Sequence, residues 1–159
     1  MTKEVKQKFT LRITEANATE LVVILYEMAL SFLQDAKEAA QKQDWTEFGG
    51  AIRKTRGCIN ELLQSLHMEY EPAKNLYKLY MFCIRRLAYA QVRKDAKVLD
   101  EIEPVLSKLQ DAYAQIAPNN SSAPVMSNTQ TVYSGLTYGK SAALAEDVTS
   151  QSANRGMLV

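Results

Sequence analysis

The residues of this 159-residue chain that could do covalent or metal chemistry are few and dispersed. His67 is the sole histidine, and Gln64 stands three positions before it. A carboxylate-bridged di-metal bundle needs Glu-x-x-His pairs on its inner faces, and that pattern is missing. His67 reads instead as a partly exposed residue at a helix end. Cys58 and Cys83 stand apart, both on apolar helical positions, with no Cys-x-x-Cys between them. Buried thiols in a reduced compartment suit them better than a disulfide. The chain has no Gly-rich phosphate loop and no Ser/His/Asp set. Arg53-Lys54, Arg56 and Arg85-Arg86 could hold an anion, although solvated faces or ion pairs across a bundle account for them more simply. The expectation is a protein without catalytic residues, metal or cofactor, whose chemistry is surface complementarity.

The apolar and aromatic residues carry that complementarity. Leu21, Leu25, Met28 and Phe32 recur at spacings of four, three and four, and Val22, Tyr26, Ala29 and Leu33 run beside them. An arc this wide needs neighbours on more than one side. Further on, Tyr77, Tyr80, Phe82 and Tyr89 accompany Met81 and Ile84 in directions that cannot all face one core. Either a small bundle leaves some aromatics outside, or these side chains wall a groove for an amphipathic helix of a partner.

The elements that position these residues read as four helices. Asn17 is an N-cap with Glu20 in capping-box position, opening a helix that fades near Gln43. Asp44 and Glu47 repeat the pattern for a second helix through Phe48, Ile52, Ile59, Leu62, Leu63 and Leu66. Gly49-Gly50 weakens that helix by about 2 kcal/mol relative to alanine, and either permits close packing or marks a break. Glu71-Pro72 starts a third helix that runs to about Arg93. Asp95 caps a fourth, ending near Ile116, in which Pro104 should produce a kink or a restart. Short links favour antiparallel neighbours, so the predicted fold is all-α: an antiparallel up-and-down four-helix bundle over residues 17–117. Residues 1–16, with Val5, Phe9, Leu11 and Ile13, are predicted as an extended N-terminal arm across it. APNNSSAP then begins a linker and an irregular C-terminal tail over residues 118–159, with a short helix expected at Ser141 to Gln151. A formal charge of +1 gives no reason to expect a general nucleic-acid or anionic-membrane binder, and no apolar run is long enough to span a membrane. The basic N-terminal stretch lacks the apolar core of a secretory signal.

The run NATELVVILYEMALSFL resembles the first-helix signature of the flagellar export chaperones, the FliS family. The similarity continues at Ile59-Asn60-Glu61-Leu62, at Leu79-Tyr80-Met81-Phe82 with Arg85-Arg86-Leu87, and at Val98-Leu99-Asp100-Glu101, with Tyr113 where a Trp is common. It covers about residues 9 to 116. The sequence departs from the family in having only Phe9 where many relatives have a Tyr-rich arm, in Asn17-Ala18 for the usual Ser-Pro, and in Pro104.

The resemblance implies a cytoplasmic four-helix bundle that binds the C-terminal region of flagellin, keeps it from polymerising early, and works with export components in flagellar type III secretion. The alternative is a structural or regulatory bundle that self-associates through the same stripe, without a flagellin client. On the first reading, the partner-binding residues are Phe9, Leu11, Ile13, Val22, Tyr26, Tyr77, Tyr80 and Tyr89, with the arm as a displaceable cap. Glu27 and Arg85 or Arg86 are expected to form a partly buried ion pair. The tail either stays solvated, meets another export component, or docks back through Tyr133, Leu136, Tyr138 and Leu144 to compete with the client.

Overall fold

The computed structural model describes residues 1–126, so the expected Ser141–Gln151 helix and the tail anchors Tyr133, Leu136, Tyr138 and Leu144 lie outside the described residues. The described chain is all-helical: α1 (Lys3–Glu15), α2 (Ala18–Gln41), α3 (Trp45–Gln64), α4 (Glu71–Arg93) and α5 (Leu99–Ile116). Helices α2 to α5 form a ring in which α2 packs on α3 and α5, and α4 packs on the same two.

Local chemistry starts and stops the helices largely as the sequence predicts. The Asn17 side chain accepts from the Glu20 N–H, and the Glu20 carboxylate accepts from the Asn17 N–H, both at 2.9 Å, completing the capping box of α2. Asp44 accepts from the Glu47 N–H at 2.9 Å to open α3. Pro72 occupies the first turn of α4, where its missing N–H has no carbonyl to satisfy. Lys94 ends α4 in the left-handed conformation, φ 55°.

Four expectations are corrected or narrowed. The N-terminal arm is not extended but helical. Thr2 caps α1 by accepting from the Val5 N–H, and Val5, Phe9 and Ile13 recur every fourth residue to give it an apolar stripe. The chain neither stops nor restarts at Pro104. The proline is exposed, and so is Asp100, whose carbonyl loses its donor and can turn to water. Asp95 caps a single 3-10 turn, Ala96–Val98, that leads into α5. Helix α3 also runs unbroken through Gly49-Gly50. A Cβ at Gly49 would meet only side-chain ends, Gln91 at 3.4 Å and Arg53 at 3.6 Å, and one at Gly50 only Arg53. The pair marks no break, and no backbone approach requires it.

The core lies inside the ring. Tyr26, Leu33, Ile52, Ile59, Leu62, Leu87, Leu99, Ile102 and Leu106 are fully buried there. Of the two stripes on α2, the one through Tyr26, Ala29 and Leu33 points to the core centre, while Leu21, Leu25 and Met28 are only half-buried. Cys58 and Cys83 are buried and unbridged. Burial raises both thiols from the usual 9 to about 11, so they stay protonated at neutral pH. No described helix is long and apolar enough to cross a membrane.

Candidate client-docking surface

The residues predicted to meet a partner divide among three places. Phe9, Leu11 and Ile13 lie on α1, a helix that buries none of its residues. Its side chains meet α2 at several levels in antiparallel sense. The chain-terminal ammonium at Met1 pairs with Asp35, and the Arg12 guanidinium grips both oxygens of Glu27, its Nη2 at 3.1 Å from Oε1. Phe9 and Ile13 are half-buried, and Arg12 lies 5.9 Å from the Phe9 ring centroid. Leu11 is 62% exposed. Near the α1–α2 corner a cleft of about 340 Å³ opens between Arg12, Glu15, Ala16, Glu20 and Ile24. The floor residue Ile24 is buried.

The second place is the bundle interior, and it takes two residues off the predicted surface. Tyr26 and Tyr80 are fully buried and joined hydroxyl to hydroxyl across the diagonal from α2 to α4. The Tyr113 ring of α5 lies 5.7 Å from that of Tyr26. Burial, and then the bond to Tyr80, drives the Tyr26 phenol far above its usual range, and burial raises Tyr80 to about 12. This cluster is core packing with one satisfied hydrogen bond; Tyr26 cannot serve as a groove wall without opening the bundle, and Tyr80, 1% exposed, borders only the inner end of one cavity. Val22 is half-buried at its edge. With Leu66, Tyr70, Leu76, Tyr80 and Tyr113 it lines a cavity of about 220 Å³ at the end of the bundle where α3 turns into α4.

The third place is the outside of α4, where Tyr77 and Tyr89 are 42% and 46% exposed. Guanidiniums of Arg86 and Arg93 stand 5.1 and 6.0 Å from the Tyr89 ring centroid. The expected ion pair is also re-partnered. Glu27 faces α1 and takes Arg12, raising the Arg12 pKa through that hydrogen bond. Arg86 turns to α5 and holds Glu101 at 2.8 and 2.5 Å, while Arg85 points outward, exposed. Glu27 therefore stands apart from both arginines. Helix periodicity alone cannot say which neighbour a flank faces.

The sequence reading missed a clasp at the α1–α2 corner. Asn17 donates from its side chain to the Asn120 carbonyl at 3.0 Å, and Asn120 donates back to Thr19 Oγ1 at 2.7 Å. The Val125 N–H donates to the Ala16 carbonyl at 3.0 Å. The chain after α5 thus returns to the start of α2, and its run of Asn and Ser residues carried no signal beyond a linker.

A family profile described as Flagellar protein FliS matches residues 1–120. The chain is 35% identical over 112 residues to the Flagellar secretion chaperone FliS of Salmonella typhimurium (strain LT2), covering 69% of this chain and 83% of that protein. It is 31% identical over 108 residues to the Flagellar secretion chaperone FliSB of Pseudomonas aeruginosa, covering 67% and 86%. Against the Flagellar secretion chaperone FliS of Bacillus subtilis (strain 168) the figures are 27% over 103 residues, 65% and 77%. With its ring of four helices and no strand among the described residues, the chain belongs to the FliS family of flagellar proteins, a family of chaperones and not of enzymes.

Proposed function

We propose that this protein is a cytoplasmic export chaperone that binds the C-terminal region of flagellin, prevents its premature polymerisation and supports flagellar type III secretion. The observation that carries this reading is the state of α1. It buries no residue of its own and rests on α2, and beside it opens a cleft in which the buried Ile24 lies among Arg12, Glu15, Ala16 and Glu20. A helix with no residue in the core, held by one partly exposed ion pair, one partly buried ion pair and half-buried apolar contacts, is the cheapest element of the bundle to release. An amphipathic helix of a client can take its place with the same geometry, burying more apolar surface than α1 does. Phe9 and Ile13 then act as the removable cover, with Leu11 on the outer face of α1, and Val22 borders the α2 strip beneath, whereas Tyr77 and Tyr89 on the outside of α4 lie away from it.

Titration calorimetry of the full chain with an isolated flagellin C-terminal segment tests the proposal. The expected result is saturable heat with a strongly negative heat-capacity change and a gain of helical circular dichroism. Absence of heat at high micromolar concentration, together with a concentration-dependent increase in the mass of the chain alone, favours the self-associating bundle instead. Deleting residues 2–14 should raise binding of an apolar dye while the helical signal of α2 to α5 persists. Loss of that signal on deletion makes α1 part of the core and removes the cover.

A further inference from the structure

The near-neutral net charge hides an uneven distribution. Helix α4 carries Lys74, Lys78, Arg85, Arg86 and Arg93 against Glu71 alone, and Glu71 is already paired with Lys74. Between Glu47 and Glu61, α3 carries Arg53, Lys54 and Arg56 with no carboxylate. The acids are concentrated on α2 and α5, where Lys37 bridges Asp100 and Glu103 at 2.6 Å each. Gly49 of α3 faces Gln91 of α4. In antiparallel register, seven residues on from one and back from the other put Arg56 level with Ile84, and Leu63 level with Tyr77.

Along this seam Tyr77 is exposed and Met81, Ile84 and Ala88 are half-buried, an apolar stripe about 16 Å long at 1.5 Å per residue. Arg53, Lys78 and Arg85 flank it, exposed and without an ion-pair partner among the described residues. Arg56 is the decisive residue. Its Nε is buried and has no hydrogen-bond partner among the described residues. The rest of the side chain is half-exposed, so the terminal guanidinium nitrogens can be reached from outside the seam, and an anionic acceptor is the strongest partner they can gain.

We infer that the α3–α4 seam is a second docking site, for an amphipathic helix of a protein partner whose apolar stripe is edged with Asp or Glu. The stripe of the partner covers Tyr77, Met81, Ile84 and Ala88. One carboxylate reaches Arg56, and others meet Arg53, Lys78 and Arg85. The site lies on a different face from the α1 strip and does not depend on the client's being flagellin.

The probe is an 18-residue helical peptide with a Leu stripe and Glu on both edges, compared with the same peptide carrying Gln and with a duplex DNA of equal charge. Each is titrated into the full chain while amide shifts are followed. The Glu peptide should bind at least tenfold more tightly than the Gln peptide, shift α3 and α4 amides, and leave α1 unchanged. Arg56→Gln should lower that affinity tenfold or more, with unchanged binding of a flagellin C-terminal segment. If Arg56→Gln fails to fold, the exposed Arg85→Glu reads the same site and should weaken the Glu peptide to a similar extent. Equal affinity for the Glu and Gln peptides, shifts outside α3 and α4, or DNA binding as tight as the Glu peptide overturns the inference.

Discussion

Helices α1 and α2 are sequence neighbours that run side by side, yet the fold holds them in opposite ways. Helix α2 touches α1, α3 and α5 and reaches α4 through Tyr26, burying Val23, Ile24, Tyr26, Ala29, Phe32, Leu33, Ala36 and Ala39. Helix α1 buries none of its residues and packs on α2. Both are capped and both have an apolar stripe. The difference lies in what surrounds the stripe: lysines at positions 3, 6 and 8 keep α1 in water, whereas the arc of α2 continues around its circumference. Capping and periodicity therefore decide whether a helix forms, and the width of the apolar arc decides whether it becomes structural.

The largest contrast should come from matched truncations. Leu33→Ala, at a fully buried position, should cost about 2–5 kcal/mol in urea unfolding. Leu11→Ala, at an exposed one, should stay within about 0.5 kcal/mol. A large loss at Leu11 would mean that α1 is as integral as α2.

Next in size is the tyrosine diagonal. Tyr26→Phe leaves the Tyr80 hydroxyl buried and unpaired, costing about 1–3 kcal/mol. The double change Tyr26→Phe/Tyr80→Phe should cost less than the sum of the single ones. Strict additivity in that cycle would show that the hydroxyl pair contributes nothing as a pair.

Alkaline pH tests the interior from another side. Cys58, Cys83 and Tyr80 keep their protons in the folded chain to higher pH than in the unfolded one. Between the two pKa values the folded state binds more protons, so stability falls as pH rises. Thermal midpoints should be level below about pH 8.5, decline from about 9 as the unfolded thiols ionise, and continue downward through about 11 and 12. A midpoint that is constant to pH 11 would place these groups in water.

The smallest effect belongs to the α1 contact. Arg12→Ala should reduce global stability by less than about 1 kcal/mol, yet increase hydrogen exchange selectively in residues 3–15. Raising the salt concentration in the unaltered chain should move exchange in the same direction, because this pair is partly exposed. Uniform exchange across α1 and α2 would erase the distinction between them.

Much of the scaffold was legible because its signals are local. Asn17 with Glu20, Asp44, and Pro72 after Glu71 fix helix starts by chemistry confined to one turn. Helix α1 was legible too, through Thr2 as cap and Val5, Phe9 and Ile13 at every fourth residue, but the alternation Leu11-Arg12-Ile13-Thr14 competes with that stripe over a short span. The candidate surface was less accessible. Periodicity gives the angle of Glu27 on its helix but not that the neighbour on that side is α1. It groups Tyr26 with Ala29 and Leu33, which marks it as core, whereas treating the tyrosines of α4 as one set mixed the buried Tyr80 with the exposed Tyr77 and Tyr89.

The antiparallel seating of α1 on α2 has a consequence for the growing chain on the ribosome. Helix α2 cannot meet α5 until some 75 further residues have been added, about 4–15 s at common elongation rates. Its contact with α1 needs only the residues already made, since Arg12 and Glu27 are 15 positions apart. During synthesis, α1 is thus the first cover available to the apolar arc of α2. The nascent chain can shield its own stickiest helix before the bundle that finally encloses it exists.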